Sequence, residues 1–167
     1  MSSFNRRLLL LSGLAFGLGA VAACGFAPAY GPGGAGTALM GRVEVDAPNT
    51  RAGYLLTQEI ETRLGRAPQP RYALSHTITL DTQAMAINRN NVASRFNLLG
   101  SVAYSLRDLE TGAIVTSGDV NSFTGYSSTG STVAVQASER DAETRLMSIL
   151  ADQLLTRLLA ADLPPPE

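Results

Sequence analysis

The chain has no lysine and no tryptophan, and only one cysteine and one histidine among its 167 residues. A lone cysteine excludes an internal disulfide, so stability has to come from an apolar core. The lone histidine, His76, comes without a G-x-S-x-G element and without a grouped set of metal ligands. The sequence therefore carries no motif for nucleophilic catalysis or metal binding, and no cofactor is expected. Basic excess is missing too, because 13 basic residues face 14 acidic ones. That balance lacks the footprint of a nucleic-acid binder. The missing lysine makes every basic residue an arginine. Codon bias in a GC-rich genome explains this for the chain as a whole. A sharper reading is phosphate recognition, where the arginine fork surpasses lysine.

Long hydrophobic runs are also absent. The apolar stretch Leu8–Ala23 is shorter than the ~20 residues a spanning helix needs. It follows Arg6-Arg7 and ends in small residues, the order of parts in a secretory signal. Val21-Ala22-Ala23-Cys24 resembles the bacterial lipoprotein lipobox. The resemblance implies removal of residues 1–23, a diacylglyceryl group on the Cys24 thiol, and acylation, as by palmitate, of the new amino group. A plain secretory signal cleaved after Ala23 would leave a free thiol, but it does not call for cysteine at that place. Several acyl chains on one residue hold stably in a membrane, where a single chain is marginal. Gly25 stands where Asp would signal inner-membrane retention in enterobacteria, so the expectation leans to the outer membrane. Residues 24–167 suit one domain. Without Arg6 and Arg7 their formal charge is −3, from 11 Arg against 14 acids.

Residues 24–41 are rich in Gly, Pro and Ala and read as a lipidated cysteine followed by a flexible tether. Gly31 to Gly36 fits G-x-G-x-x-G, but no strand precedes it and no helix is expected to open on it, so it is not a dinucleotide site. Arg42–Ala47 alternates as a short strand. Ala52, Leu55, Leu56, Ile60 and Leu64 recur at helical spacing, predicting a helix over about 50–65 that Gly65, Pro68 and Pro70 stop. Tyr72 to Leu80 alternates as a long strand. Asn88-Arg89-Asn90-Asn91 reads as a turn. A second long strand places Phe96, Leu98, Val102 and Tyr104 on one face, and Asp108–Gly112 is a further turn. Ala113–Phe123 gives another strand, and Gly125–Gly130 a loop. Ser138-Glu139-Arg140-Asp141 resembles a capping box and opens a last, strongly apolar helix. The predicted fold class is α+β, a two-layer sandwich in the order β-α-β-β-β-α. Two helices pack on one face of a four-stranded mixed sheet, and the other face, rich in Ser and Thr, is left for water or a partner. The domain spans 42–162, with a Pro-rich tail at 163–167.

Cys24-Gly25-Phe26-Ala27-Pro28-Ala29-Tyr30-Gly31 resembles the opening of mature LptE-type lipoproteins, the lipopolysaccharide-assembly lipoproteins, in their alphaproteobacterial form. Ala29 departs from that pattern, where Leu is usual. Arg95-Phe96-Asn97-Leu98 through Tyr104-Ser105-Leu106-Arg107-Asp108 resembles the family's central strand, and Ala137–Leu158 its final helix. The resemblance implies no catalysis. It implies a lipid-anchored protein that plugs a large outer-membrane β-barrel of the LptD type, helps that translocon assemble, and binds lipopolysaccharide during its insertion into the outer leaflet. A polar skin suits a plug, because wide barrels have polar lumens.

A site for lipopolysaccharide should pair Arg with apolar surface, since charge-assisted Arg–phosphate pairing is strong. The best candidates are Arg89, Asn90, Asn91 and Arg95, beside Ile87 and Val92, at the tip between the two long strands. They would touch lipopolysaccharide or the barrel wall, or form an ordinary polar turn. His76 is expected to be a hydrogen-bonded structural residue among Tyr72, Leu74, Ile78 and Leu80. Two other readings compete. One is a generic lipid-anchored periplasmic binding module without a barrel partner. The other is an enzyme, which would need a convergent polar cleft such as His76 beside Asp81.

Overall fold

The computed structural model describes residues 30, 31, 34–87, 93–161 and 163. The elements are α1 (Ala35–Leu39), β1 (Val43–Val45), α2 (Arg51–Leu64), β2 (Tyr72–Ile87), β3 (Ala93–Asp108), β4 (Ile114–Ser127) and α3 (Thr132–Leu159). The four strands form one sheet in the order β1-β2-β3-β4. β1 runs parallel to β2, and the later pairs are antiparallel. The α+β class and the helix-on-sheet layering thus agree with the sequence reading, with one helix added at the front.

Local chemistry sets the element ends. Thr50 accepts a hydrogen bond from the Gly53 amide at 3.0 Å and starts α2, satisfying one of the amides a helix start leaves unpaired. Gly65, at φ +76°, stops it, a backbone angle that glycine tolerates best. The Asp108 side chain closes the β3–β4 turn by accepting from the Glu110 and Thr111 amides at 2.8 and 3.1 Å.

Strand periodicity divides the sheet into two faces. Leu98, Val102, Tyr104 and Leu106 of β3, and Val120 of β4, point into the helices and are buried. Leu56, Ile60 and Leu64 of α2 and Leu146, Leu150, Leu154 and Leu158 of α3 fill the other half of the core. The two helices run the same way, and ion pairs tie both ends of α2 to α3, Arg51–Glu143 at 2.8 Å and Arg63–Asp152 at 2.7 Å. Gly100 sits under α3, where a Cβ would lie 3.0 Å from both Leu146 Cδ2 and Leu150 Cδ1. Its missing side chain lets helix and strand approach.

Four boundaries differ from the expectation. β2 continues past Leu80 to Ile87, still paired with β3. The end of the tether stretch is helical, and Leu39 of α1 is fully buried in the core, so packing begins before residue 42. One apolar anchor outweighs the local Gly content. β4 continues past Phe123 to Ser127, paired with β3 as far as Arg95, because the partner strand supplies a ladder that Gly125 cannot disrupt alone. α3 opens at Thr132 rather than at Ser138. Ser131 is its cap, accepting from the Ala134 amide, and Ser138 lies inside the helix with its hydroxyl donating to the Ala134 carbonyl.

Candidate functional site

The residues proposed for lipid contact lie at the end of the sheet where β2 turns into β3. Ile87 pairs with Ala93 across that turn. Arg89, Asn90 and Asn91 fall in the connection 88–92, and Val92 with them, outside the described residues. Cys24 also lies outside them. Arg95 is described. It is exposed, opposite Ser127 on β4 and Ala86 on β2. Among the described residues no carboxylate lies within ion-pair distance of it. An open concavity is lined by Arg95, Gly125, Tyr126 and Ser127.

Behind Arg95, the Phe96 and Tyr126 rings stack with centroids 5.5 Å apart. Burial pushes the Tyr126 hydroxyl up from its ordinary pKa, and Glu139 adds to the shift. A second guanidinium reaches the same end of β4, because Arg145 donates to the Gly125 carbonyl at 3.3 Å and pairs with Asp141 at 3.1 Å. Near the hairpin end, Arg95, which has no carboxylate partner among the described residues, lies on the open face of the sheet, and the stacked Phe96–Tyr126 pair lies on the helix side.

The sheet face away from the helices is polar with one apolar island. Ser75, Thr77, Thr79, Asp81 and Gln83 of β2 are exposed on it, as are Asp119 and Asn121 of β4. Leu99 of β3 pairs directly with Phe123 of β4, and Phe123 is 62 % exposed. These two side chains floor a shallow hollow of about 370 Å³ with Thr79, Asp81, Ser101 and Asn121 around it. Sequence reasoning placed Phe123 at a strand end and did not single it out. The signal lay in the register, since Val120 and Thr124 point inward and leave residue 123 on the open face. Arg95, Leu99 and Phe123 share that face. It thus offers a cation for phosphate and apolar surface for an acyl chain.

His76 does not meet its expectation fully. It is half-buried, and its Nδ1 has no hydrogen-bond partner among the described residues. Burial holds its pKa below the ordinary value, against a smaller opposite pull from Asp46. His76 points to the helix side and Asp81 to the other face, so the two form no joint cleft. No helix among the described residues is long and apolar enough to cross a membrane.

The family model for LptE, described as lipopolysaccharide-assembly, matches residues 40–158. A putative lipoprotein from Caulobacter crescentus has a similar structure, with 28% identity and a TM-score of 0.63, covering 75% of this chain and 92% of that one. The rare lipoprotein B of Shewanella oneidensis superposes with a TM-score of 0.55 at 10% identity, over 70% of this chain and 91% of that one. The minor lipoprotein of Acinetobacter baumannii gives 0.53 at 16% identity, over 74% and 95%. The last two show a shared fold alone. No curated protein matches the sequence.

Proposed function

The chain belongs to the LptE family of lipopolysaccharide-assembly proteins, and on that premise we propose that it is an outer-membrane lipoprotein of the family's alphaproteobacterial form. It would be anchored through acylated Cys24, would plug and help assemble a large LptD-type β-barrel translocon, and would bind lipopolysaccharide on its way to the outer leaflet. It is not an enzyme, since the family is one of non-enzymatic assembly lipoproteins. The observation that carries the proposal is a family match over residues 40–158, covering all four strands and α2 and reaching α3's last turn. Two features support the plug. The open sheet face is largely hydroxyl, amide and carboxylate, which suits the polar interior of a wide barrel. The open face carries Arg95 about 13 Å along β3 from the Leu99–Phe123 pair, a pairing of chemistries that a phosphorylated, acylated glycolipid presents.

Purification of the lipidated protein from its own outer membrane through a C-terminal tag tests this reading. The expected outcome is recovery of a large β-barrel in about equal amount. Recovery of the chain alone after gentle solubilisation would leave a generic lipid-anchored binding module and discard the plug.

A further inference from the structure

β2 is 16 residues long, but β1 covers only its first three, pairing Val43–Val45 with Tyr72–Leu74. The last bond on that edge runs from the Asp46 amide to the Leu74 carbonyl at 3.0 Å, and the Tyr72 amide donates to Arg42 O at 3.0 Å. Tyr72 and Leu74 thus turn their backbone groups outward. Strand alternation carries the same orientation to His76, Ile78, Leu80 and Thr82. Among the described residues nothing pairs with these groups. The register with β3 stays regular until the irregularity at Ala84/Ala86. The free edge is therefore straight for seven residues, about 20 Å, close to the mean length of a strand.

Proteins blunt such edges with Pro, Lys, bulges or a covering element. Among the described residues none of these guards residues 76–82, whose sequence is HTITLDT. The opposite edge of the sheet differs, because Arg145 of α3 takes the Gly125 carbonyl of β4 and Asp152 and Arg157 of α3 flank Asp119 and Asn121. The β2 edge also has two chemically distinct sides. Ile78 packs partly on the core and Leu80 is 38 % exposed on the helix side, while Thr77, Thr79 and Asp81 are exposed on the other. Its charges are Asp46 at the head and Asp81 in the middle. Neither has an ion-pair partner among the described residues.

We propose that residues 76–82 of β2 are a docking edge for an extended segment of another protein. That segment adds as a strand, alternates apolar and polar side chains, and carries a basic residue facing Asp81. Main-chain bonds provide the attachment, and the two-sided chemistry sets the register. A second copy of this chain fits worse, because it would bring the same carboxylates to an edge that lacks a cation. The proposal rests on the assembly reading only in expecting a protein partner, and it names a surface separate from the hairpin end.

The test places a photoreactive benzoyl-phenylalanine at Thr79 in the full lipidated chain, irradiates intact cells and identifies adducts by mass spectrometry. It is repeated with Leu80→Pro and Leu80→Ala. Proline at 80 removes an outward amide and leaves the β2–β3 ladder intact, whereas Leu80→Ala controls for the side chain. Thermal unfolding confirms that both variants fold. The expected result is an adduct to one other protein that falls about tenfold with Leu80→Pro, the effect of lost edge hydrogen bonding, and much less with Leu80→Ala. An adduct between two copies of the chain, no adduct, or an adduct indifferent to Leu80→Pro would overturn the proposal. If a barrel co-purifies but the edge gives no proline-sensitive adduct, this inference fails alone. If the adduct is proline-sensitive but no barrel co-purifies with the tagged chain, the plug reading fails and the docking edge stands.

Discussion

Gly100 shows how one missing side chain sets the distance between layers. Its position lies under two leucines of α3, with Leu80 Cδ2 at 3.2 Å from a would-be Cβ. Even alanine there presses three methyl groups at once. Alanine would ordinarily gain about 0.5–1 kcal/mol over glycine in a strand from backbone entropy. Overpacking a filled core costs about 1–3 kcal/mol, so crowding wins. Gly100→Ala should lower unfolding stability by about 1 kcal/mol and Gly100→Val by more, read as midpoint shifts in urea. A Gly100→Ala chain as stable as the parent would mean that α3 shifts away freely. Asp108 illustrates a residue whose role was partly readable. Its place in a turn follows from Asp108–Gly112, but not its burial, at 4 % exposed. The Thr111 amide first, then the Glu110 amide and the Arg71 guanidinium, hold its carboxyl below the usual range against the opposing pull of burial. The sequence could not place Arg71 next to it, because that contact joins strands 37 positions apart.

At the scale of elements, period and breakers located six of the seven helices and strands and placed both ends of β1, α2 and β3 within a few residues, since alternation and the 3.6-residue repeat are local properties. What they missed depended on partners. α1 exists because Leu39 finds a pocket in the core, and β4 reaches Ser127 because β3 extends opposite it. The capping-box likeness of Ser138-Glu139-Arg140-Asp141 put the start of α3 at Ser138, whereas the structure caps the helix with Ser131. The two serines now differ in their bonds. Ser131 accepts from an unpaired amide at the helix start, whereas Ser138 donates to a carbonyl already in the helix ladder. Ser131→Ala should cost about 1 kcal/mol as a lost cap. Ser138→Ala should be neutral or slightly stabilising, because alanine has the higher helix propensity. Denaturant unfolding of the two variants separates them. Equal losses would contradict the seven-residue earlier start.

For the whole molecule, the helices occupy one face of the sheet, and among the described residues nothing covers the other face or the long edge of β2. This asymmetry was legible in outline, because a half-apolar sheet with two amphipathic helices has only one way to bury its greasy side. The position of Phe123 beside Leu99 was not, since it follows from cross-strand register. The layout separates two tasks by location. The edge of β2 offers main-chain bonds and carboxylates, which suit a protein strand, and the hairpin end offers arginine, which suits a phosphorylated lipid. Arg95 is exposed and unpaired among the described residues, so removing its charge leaves no buried group stranded and should spare the fold. Arg95→Ala should therefore keep the melting temperature and barrel co-purification of the parent. Its affinity for lipopolysaccharide should fall by about tenfold or more, as expected for lost charge-assisted contacts to phosphate. Binding of purified, labelled lipopolysaccharide to the two proteins measures this at fixed ionic strength, because surface charge pairs weaken with salt. If lipid binding and barrel assembly are both untouched, the hairpin end is an ordinary polar turn, and the Leu99–Phe123 hollow becomes the next surface to alter.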